Sequence, residues 1–148
     1  MIYIWDTNIL LHIVRKQDFF NDLNSKYDFK SPINQIIISA VTVGEIHAIA
    51  LRNRWGEKRM TILSDLLKSV KIISVDDNSF LIQLYSEIDV YSQNQHPVLR
   101  MPTSARKMGK NDLWIAATTA IYNGTLLSTD NDFTHLENLF LYFDKIEV

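Results

Sequence analysis

The 148-residue sequence contains no cysteine, which excludes disulfides and thiolate metal sites and fits a reducing compartment. Only four glycines and three prolines are present, a scarcity that argues against a disordered chain and against a glycine-rich phosphate loop. No apolar run approaches the roughly 18 residues that a membrane-spanning helix needs. Charge of one sign is lacking too: 15 Lys and Arg stand against 17 Asp and Glu, for a net charge of −2. Any contact with nucleic acid must then come from local patches rather than from an overall field. The first charged residue is Asp6, and no basic segment precedes an apolar one, so a secretory signal is not expected and a cytoplasmic setting is. What the chain does have is apolar content, 47% of its residues, enough for one domain with its own core, expected to span 1–148.

The most informative stretch is Met1–Leu11. Ile2, Tyr3, Ile4 and Trp5 form an apolar, β-prone run, and Asp6-Thr7-Asn8 ends it abruptly. Ile9, Leu10, Ile13 and Val14 then share one helical face, which predicts a helix over 8–15. A second helix is expected within 16–30, broken by Ser31-Pro32. Ile36–Ile38 reads as a second buried strand, and Thr42 is expected to open a helix running to about Arg54. Leu63, Leu66, Leu67 and Val70 give the helix 57–70 its apolar face, and Lys71–Val75 follows as a strand. Asp76 or Asp77 is expected to cap the next helix, after which 92–109 has no periodicity and reads as a loop. Asn111 starts an apolar helix that Gly124 should terminate as a C′ glycine. Thr125–Ser128 is a fourth strand, and Leu139–Phe143, with Ile146–Val148, supplies a last one. Strands alternating with helices predict an α/β fold whose sheet is mainly parallel, with four or five strands and helices on both faces.

In such a fold, the helix after each strand begins at the carboxyl edge of the sheet, where ligands bind. Asp6 and Asp130 end strands one and four, Glu45 falls in the first turn expected for the helix after strand two, and Asp112 in the first turn of the helix before strand four. All four acids should reach one edge, with Asp132 close by. Each has an ordinary alternative: a Thr42–Glu45 capping box, dipole complementarity at Asp112, a turn at Asp130-Asn131-Asp132. Two carboxylates about 4 Å apart repel by roughly 4 kcal/mol at an effective dielectric near 20. A convergent quartet must therefore protonate in part or take up a divalent cation, and all-oxygen ligands favour Mg²⁺ or Mn²⁺ over zinc. His12, His47, His96 and His135 lack metal-ligand spacing and read as structural or surface residues.

Four blocks, DTN at Asp6–Asn8, ISAVTVGEI at Ile38–Ile46, GKNDLWIAATT at Gly109–Thr119 and LLSTDNDF at Leu126–Phe133, occur in order along almost the whole chain. Together they resemble the signature blocks of PIN-domain ribonucleases, most nearly those of the VapC-type toxins of bacterial toxin–antitoxin pairs. The resemblance implies a three-layer α/β/α sandwich and Mg²⁺-dependent hydrolysis of RNA phosphodiesters to 5′-phosphate and 3′-hydroxyl ends. It matches Asp6, Glu45, Asp112 and Asp130 to the catalytic, metal-binding acids, with Asn8 and Ser128 as supporting polar residues. It also implies an RNA substrate, a cognate antitoxin and a homodimer.

Arg100, Arg106, Lys107 and Lys110 lie in an acid-free stretch leading into Asp112 and are candidate RNA-binding residues. A second basic group, Arg52, Arg54, Lys58 and Arg59, reads as a solvated helix face. Two alternatives stand beside the toxin reading: a PIN nuclease of RNA maturation or turnover, and a non-catalytic binding module on the same fold. A haloacid-dehalogenase-type phosphotransferase fits poorly, since Asn8 stands where that chemistry wants a second Asp.

Overall fold

A computed structural model describes every residue from Met1 to Val148. Five strands, β1 (Ile2–Trp5), β2 (Gln35–Ser39), β3 (Lys71–Ile73), β4 (Thr125–Ser128) and β5 (Tyr142–Lys145), form one sheet in the order β3-β2-β1-β4-β5. Every pairing is parallel. The apolar run that opens the chain is thus the middle strand, as suits a segment with almost nothing polar to show solvent on either face. Six helices connect the strands: α1 (Thr7–Arg15), α2 (Gln17–Tyr27), α3 (Ala40–Arg52), α4 (Glu57–Ser69), α5 (Ser79–Ser92) and α6 (Lys110–Ile121).

Strand alternation divides the interior in two. Tyr3, Trp5, Ile38 and Leu127 point to a core shared with Ile9, Leu10, Ile13, Val14, Ile46 and Leu63, from α1, α3 and α4. Their neighbours Ile4, Ile37 and Leu126 face the opposite side, onto Leu81, Ile88, Leu113, Ile115 and Ala116 of α5 and α6. The result is the α/β/α sandwich expected, with two separate apolar layers across a sheet whose central strands are covered on both faces.

Several expected boundaries move. α3 begins at Ala40, two residues early, because Ser39 is its N-cap and accepts the Val41 amide at 3.2 Å. Thr42 is therefore buried inside the helix, Glu45 sits in the second turn rather than the first, and the capping box does not form. Asn78, not Asp76 or Asp77, caps α5, accepting from the amides of Phe80 and Leu81; Asp76 instead accepts the amide of Asn78 in the preceding turn. The left-handed residue after α6 is Asn123 (φ 49°), so Gly124 is not the C′ residue. Gly124 is required for close approach: a Cβ there would meet Ile4 Cδ1 at 2.2 Å and the Ile2 carbonyl at 3.1 Å. β3 stops at Ile73, and the last strand, Tyr142–Lys145, overlaps the end of the expected Leu139–Phe143 and stops before Ile146–Val148. The 93–109 segment is a loop, as its lost periodicity predicts. No helix is long and apolar enough to cross a membrane.

Candidate active site

At the carboxyl edge, β1 and β4 run in register through Trp5 and Leu127, so the next residues, Asp6 and Ser128, are cross-strand neighbours. The Asp6 amide extends the ladder to the Leu127 carbonyl at 3.1 Å. The Asp6 side chain turns back as N-cap of α1, accepting the Thr7 amide at 2.7 Å and the Ser128 hydroxyl at 2.6 Å. Asp6 and Ser128 are both buried, so this pair is a fixed part of the core rather than a mobile surface contact. Ser128 Oγ also accepts the Asp130 amide at 3.1 Å, which sets the turn that carries Asp130.

The other acids come to the same place from three further segments. A cleft of about 400 Å³ is lined by Asp6, Glu45, Asp112, Asp130 and Asp132, together with Thr7, Asn8, Asn111 and Arg52. The expected convergence of Asp6, Glu45, Asp112 and Asp130 on one edge is thus found, with Asp132 beside them. Asn8 Nδ2 donates to Asp130, and the Thr7 hydroxyl donates to Glu45. Asn111 Nδ2 donates to the second Glu45 oxygen at 2.7 Å. A Cβ on Gly109, the N-cap of α6, would stand 3.3 Å from Asp112 Oδ2, so glycine leaves that carboxylate its room.

The electrostatic consequence is strong. Burial lifts the Asp6 carboxyl from an ordinary 3.8 to about 6, against the lowering pull of Ser128 and the Thr7 amide, and Glu45 and Asp130 add repulsion. Asp112 is raised to about 7, first by burial and then by Asp6, Glu45, Asp132 and Asp130. The molecule's two salt bridges, Lys26–Asp144 and Lys145–Glu147, both lie elsewhere, so no base is ion-paired with a cleft acid. The donor set is entirely oxygen and over-supplied with negative charge, the chemistry that suits a hard divalent cation. As the side chains stand, however, no three acids are gathered tightly enough to ligate one ion. Glu45, Asp130 and Asp6 each spend oxygens on Thr7, Asn111, Asn8 or Ser128.

A family model described as the PIN domain matches residues 3–139. The chain belongs to the PIN-domain family. No curated protein matches this PIN domain. Among solved structures, it is similar to a chain of VapBC2 from Rickettsia felis, bound to a DNA fragment from its promoter, at 22% identity and TM-score 0.70, covering 99% of this chain and 100% of that one. A chain of VapBC-1 from nontypeable Haemophilus influenzae matches at 20% identity and TM-score 0.71, with 98% of each chain covered. VapC20 of Mycobacterium tuberculosis, a toxin that cleaves the sarcin–ricin loop, matches at 13% identity and TM-score 0.60, over 90% of this chain and 93% of that one. At these identities the likeness is one of fold.

The basic residues are arranged differently from expectation. None of Arg100, Arg106, Lys107 and Lys110 lines the cleft of this PIN domain. Arg106 is half-buried and donates to the Asn131 carbonyl at 3.1 Å, bracing the turn between Asp130 and Asp132. The base that does line the cleft is Arg52, from the group read as a solvated face. Its signal was present: Glu45, Ala48, Ile49 and Arg52 are spaced i, i+3, i+4, i+7, one face of α3, and all four line the cleft. Thr7 and Asn111 were also missed, although each adjoins a candidate acid in sequence. None of the four histidines enters the cleft; His96 Nδ1 accepts the Val98 and Leu99 amides, and His135 Nε2 pairs with the buried Ser92 hydroxyl at 2.7 Å.

Proposed function

We propose that this PIN domain is a Mg²⁺-dependent endoribonuclease, the toxin of a type II toxin–antitoxin pair, acting as a homodimer and held in check by a cognate antitoxin. One observation carries the reading. Acids from four separate segments, Asp6, Glu45, Asp112 and Asp130, line a single cleft without a salt-bridged base. Membership of the PIN family and the toxin–antitoxin complexes among the structural neighbours support it.

Asp6 and Asp112 are the proposed direct ligands of a divalent cation, with Glu45 and Asp130 completing its shell or orienting water. Mn²⁺ is an alternative ion. When bound, Mg²⁺ would polarise the scissile phosphate and lower the pKa of attacking water. The chain's own contributions are positional. Ser128 and the Thr7 amide hold Asp6 in one orientation, and they favour its charged form. Thr7 and Asn111 aim Glu45, and Asn8 steadies Asp130. Asp132 lies at the cleft wall as a further supporting acid. Arg100, Lys107 and Lys110 are exposed and engaged in no ion pair, and we assign them to the approach of the RNA strand. Arg106 belongs to the same path through the turn it braces.

The test is expression of wild type and Asp6→Asn in bacterial cells, with RNA ends mapped by sequencing. Growth arrest with discrete new 5′-phosphate ends, in wild type alone, is the expected result. Processing without growth arrest would favour an RNA-maturation nuclease. Equal RNA profiles, with RNA binding retained by both proteins, would replace the enzyme with a binding module.

A further inference from the structure

Arg52 is the only base among the residues lining the cleft, and it makes neither an ion pair nor a side-chain hydrogen bond with any of the five carboxylates around it. That is an odd position for a guanidinium unless something keeps it free. The carboxylate on its own helix face is Glu45, and each Glu45 oxygen already accepts a neutral donor, one the Thr7 hydroxyl and the other Asn111 Nδ2. Asp6 is likewise occupied by Ser128 and the Thr7 amide, and Asp130 by Asn8. Neutral donors engage three of the five acids, and the one cation at the rim is exposed with all its N–H groups unspent. An unspent guanidinium fork fits a phosphate bidentately, which an ammonium group does not. A cleft of five acids also repels the phosphates flanking the one it is to cut, and a cation at the rim answers that repulsion on the α3 side.

We propose that Arg52 is a substrate-binding residue that grips the RNA phosphate next to the scissile one on the α3 side of the cleft. This rests on the nuclease reading above. It differs from a merely structural role for Arg52, that of a base in the last turn of α3 complementing the helix dipole.

The experiment is steady-state cleavage of a fluorescently labelled RNA spanning a cut site mapped by the end sequencing above, by the full chain in Mg²⁺, over a salt series. Wild type is compared with Arg52→Gln and Arg52→Lys. Arg52→Gln should raise KM by about tenfold or more, the scale of a lost charged hydrogen bond, while kcat moves little. It should also flatten the salt dependence of kcat/KM by about 0.7 in log–log slope, one phosphate contact on a single strand. Arg52→Lys should restore the slope and part of KM. An unchanged KM and slope in Arg52→Gln would overturn the proposal. So would a loss confined to kcat, or a loss of thermal stability shared by both variants with the slope intact. A wild type that leaves this RNA uncut in Mg²⁺ and in Mn²⁺ would instead overturn the nuclease reading on which the assignment rests.

Discussion

Two carboxylates of the same sheet are treated in opposite ways. Asp144, on the edge strand β5, accepts the Tyr27 hydroxyl at 2.6 Å and the Lys26 ammonium at 3.0 Å. Asp6, one residue past the central strand, is more deeply buried, yet its partners are a neutral hydroxyl and a backbone amide, with Glu45 and Asp130 as like-charged neighbours. Where a carboxylate serves the structure, this chain supplies a cation of its own. In the cleft it supplies hydroxyls and amides that aim the acids and leaves their charge uncompensated, as suits a site whose counter-charge arrives from solution.

The largest expected difference is in activity. Asp6→Asn should lower Mg²⁺-dependent RNA cleavage by more than about a hundredfold, beyond the range typical of residues that only support a metal ligand. Asp144→Asn should leave it unchanged, and equal losses in a cleavage assay would erase the contrast. Ser128→Ala, which frees one Asp6 oxygen, should weaken the cation dependence of cleavage by roughly tenfold to a hundredfold. A Mg²⁺ titration of rate measures this, and rescue at high Mg²⁺ separates it from misfolding.

Stability should respond with opposite signs. Between about pH 4 and about 7, the metal-free folded chain holds protons on Asp6 and Asp112 that the unfolded chain has released, because both are raised from 3.8, to about 6 and about 7. The contribution of these two groups to folding stability should therefore be complete below about pH 4 and be lost as pH rises through that window. In EDTA at pH 8, Asp6→Asn should raise the thermal midpoint, and the gain should vanish near pH 4. Asp144→Asn should lower the midpoint at pH 8, having lost its Tyr27 and Lys26 contacts. Denaturation scans at the two pH values decide it; a lowered midpoint for Asp6→Asn at pH 8 would break the comparison. The smallest effect belongs to Lys26→Met, because that bridge is solvent-exposed: a cost below about 1 kcal/mol, read from urea midpoints.

Most of the fold was legible because two periodicities coexist in the chain. Ile2–Trp5 and Thr125–Ser128 are short apolar runs ended by small polar residues, and they are strands as read. The amphipathic spacing of 57–70 marked α4 to within a residue. Helix ends were less legible, because several residues compete for each cap. Ser39, Thr42, Asp76, Asp77 and Asn78 can all accept a backbone amide, and the sheet edge decides which one meets it. Gly124 looked like a helix stop, yet its need for a small side chain comes from Ile2 and Ile4 across the sheet, more than a hundred residues away.

The acids of the cleft were found by following strand ends and helix starts, which topology brings to one edge. Thr7, Asn111 and Arg52 were not, since their relevance lies in what they do with Glu45, a relation between three segments. Arg106 shows the converse. Adjacency in sequence pointed to Arg106 as a substrate contact, and did not show that it also donates to the Asn131 carbonyl and braces the turn that carries Asp130.

The most direct test of the uncompensated cleft is to count bound Mn²⁺ by electron paramagnetic resonance, with wild type, Asp6→Asn and Asp144→Asn titrated side by side. Wild type and Asp144→Asn should each quench the free-ion signal by at least one Mn²⁺ per chain, and Asp6→Asn should quench far less. Equal binding by all three proteins, or no binding by wild type, would contradict the claim that these acids await a cation.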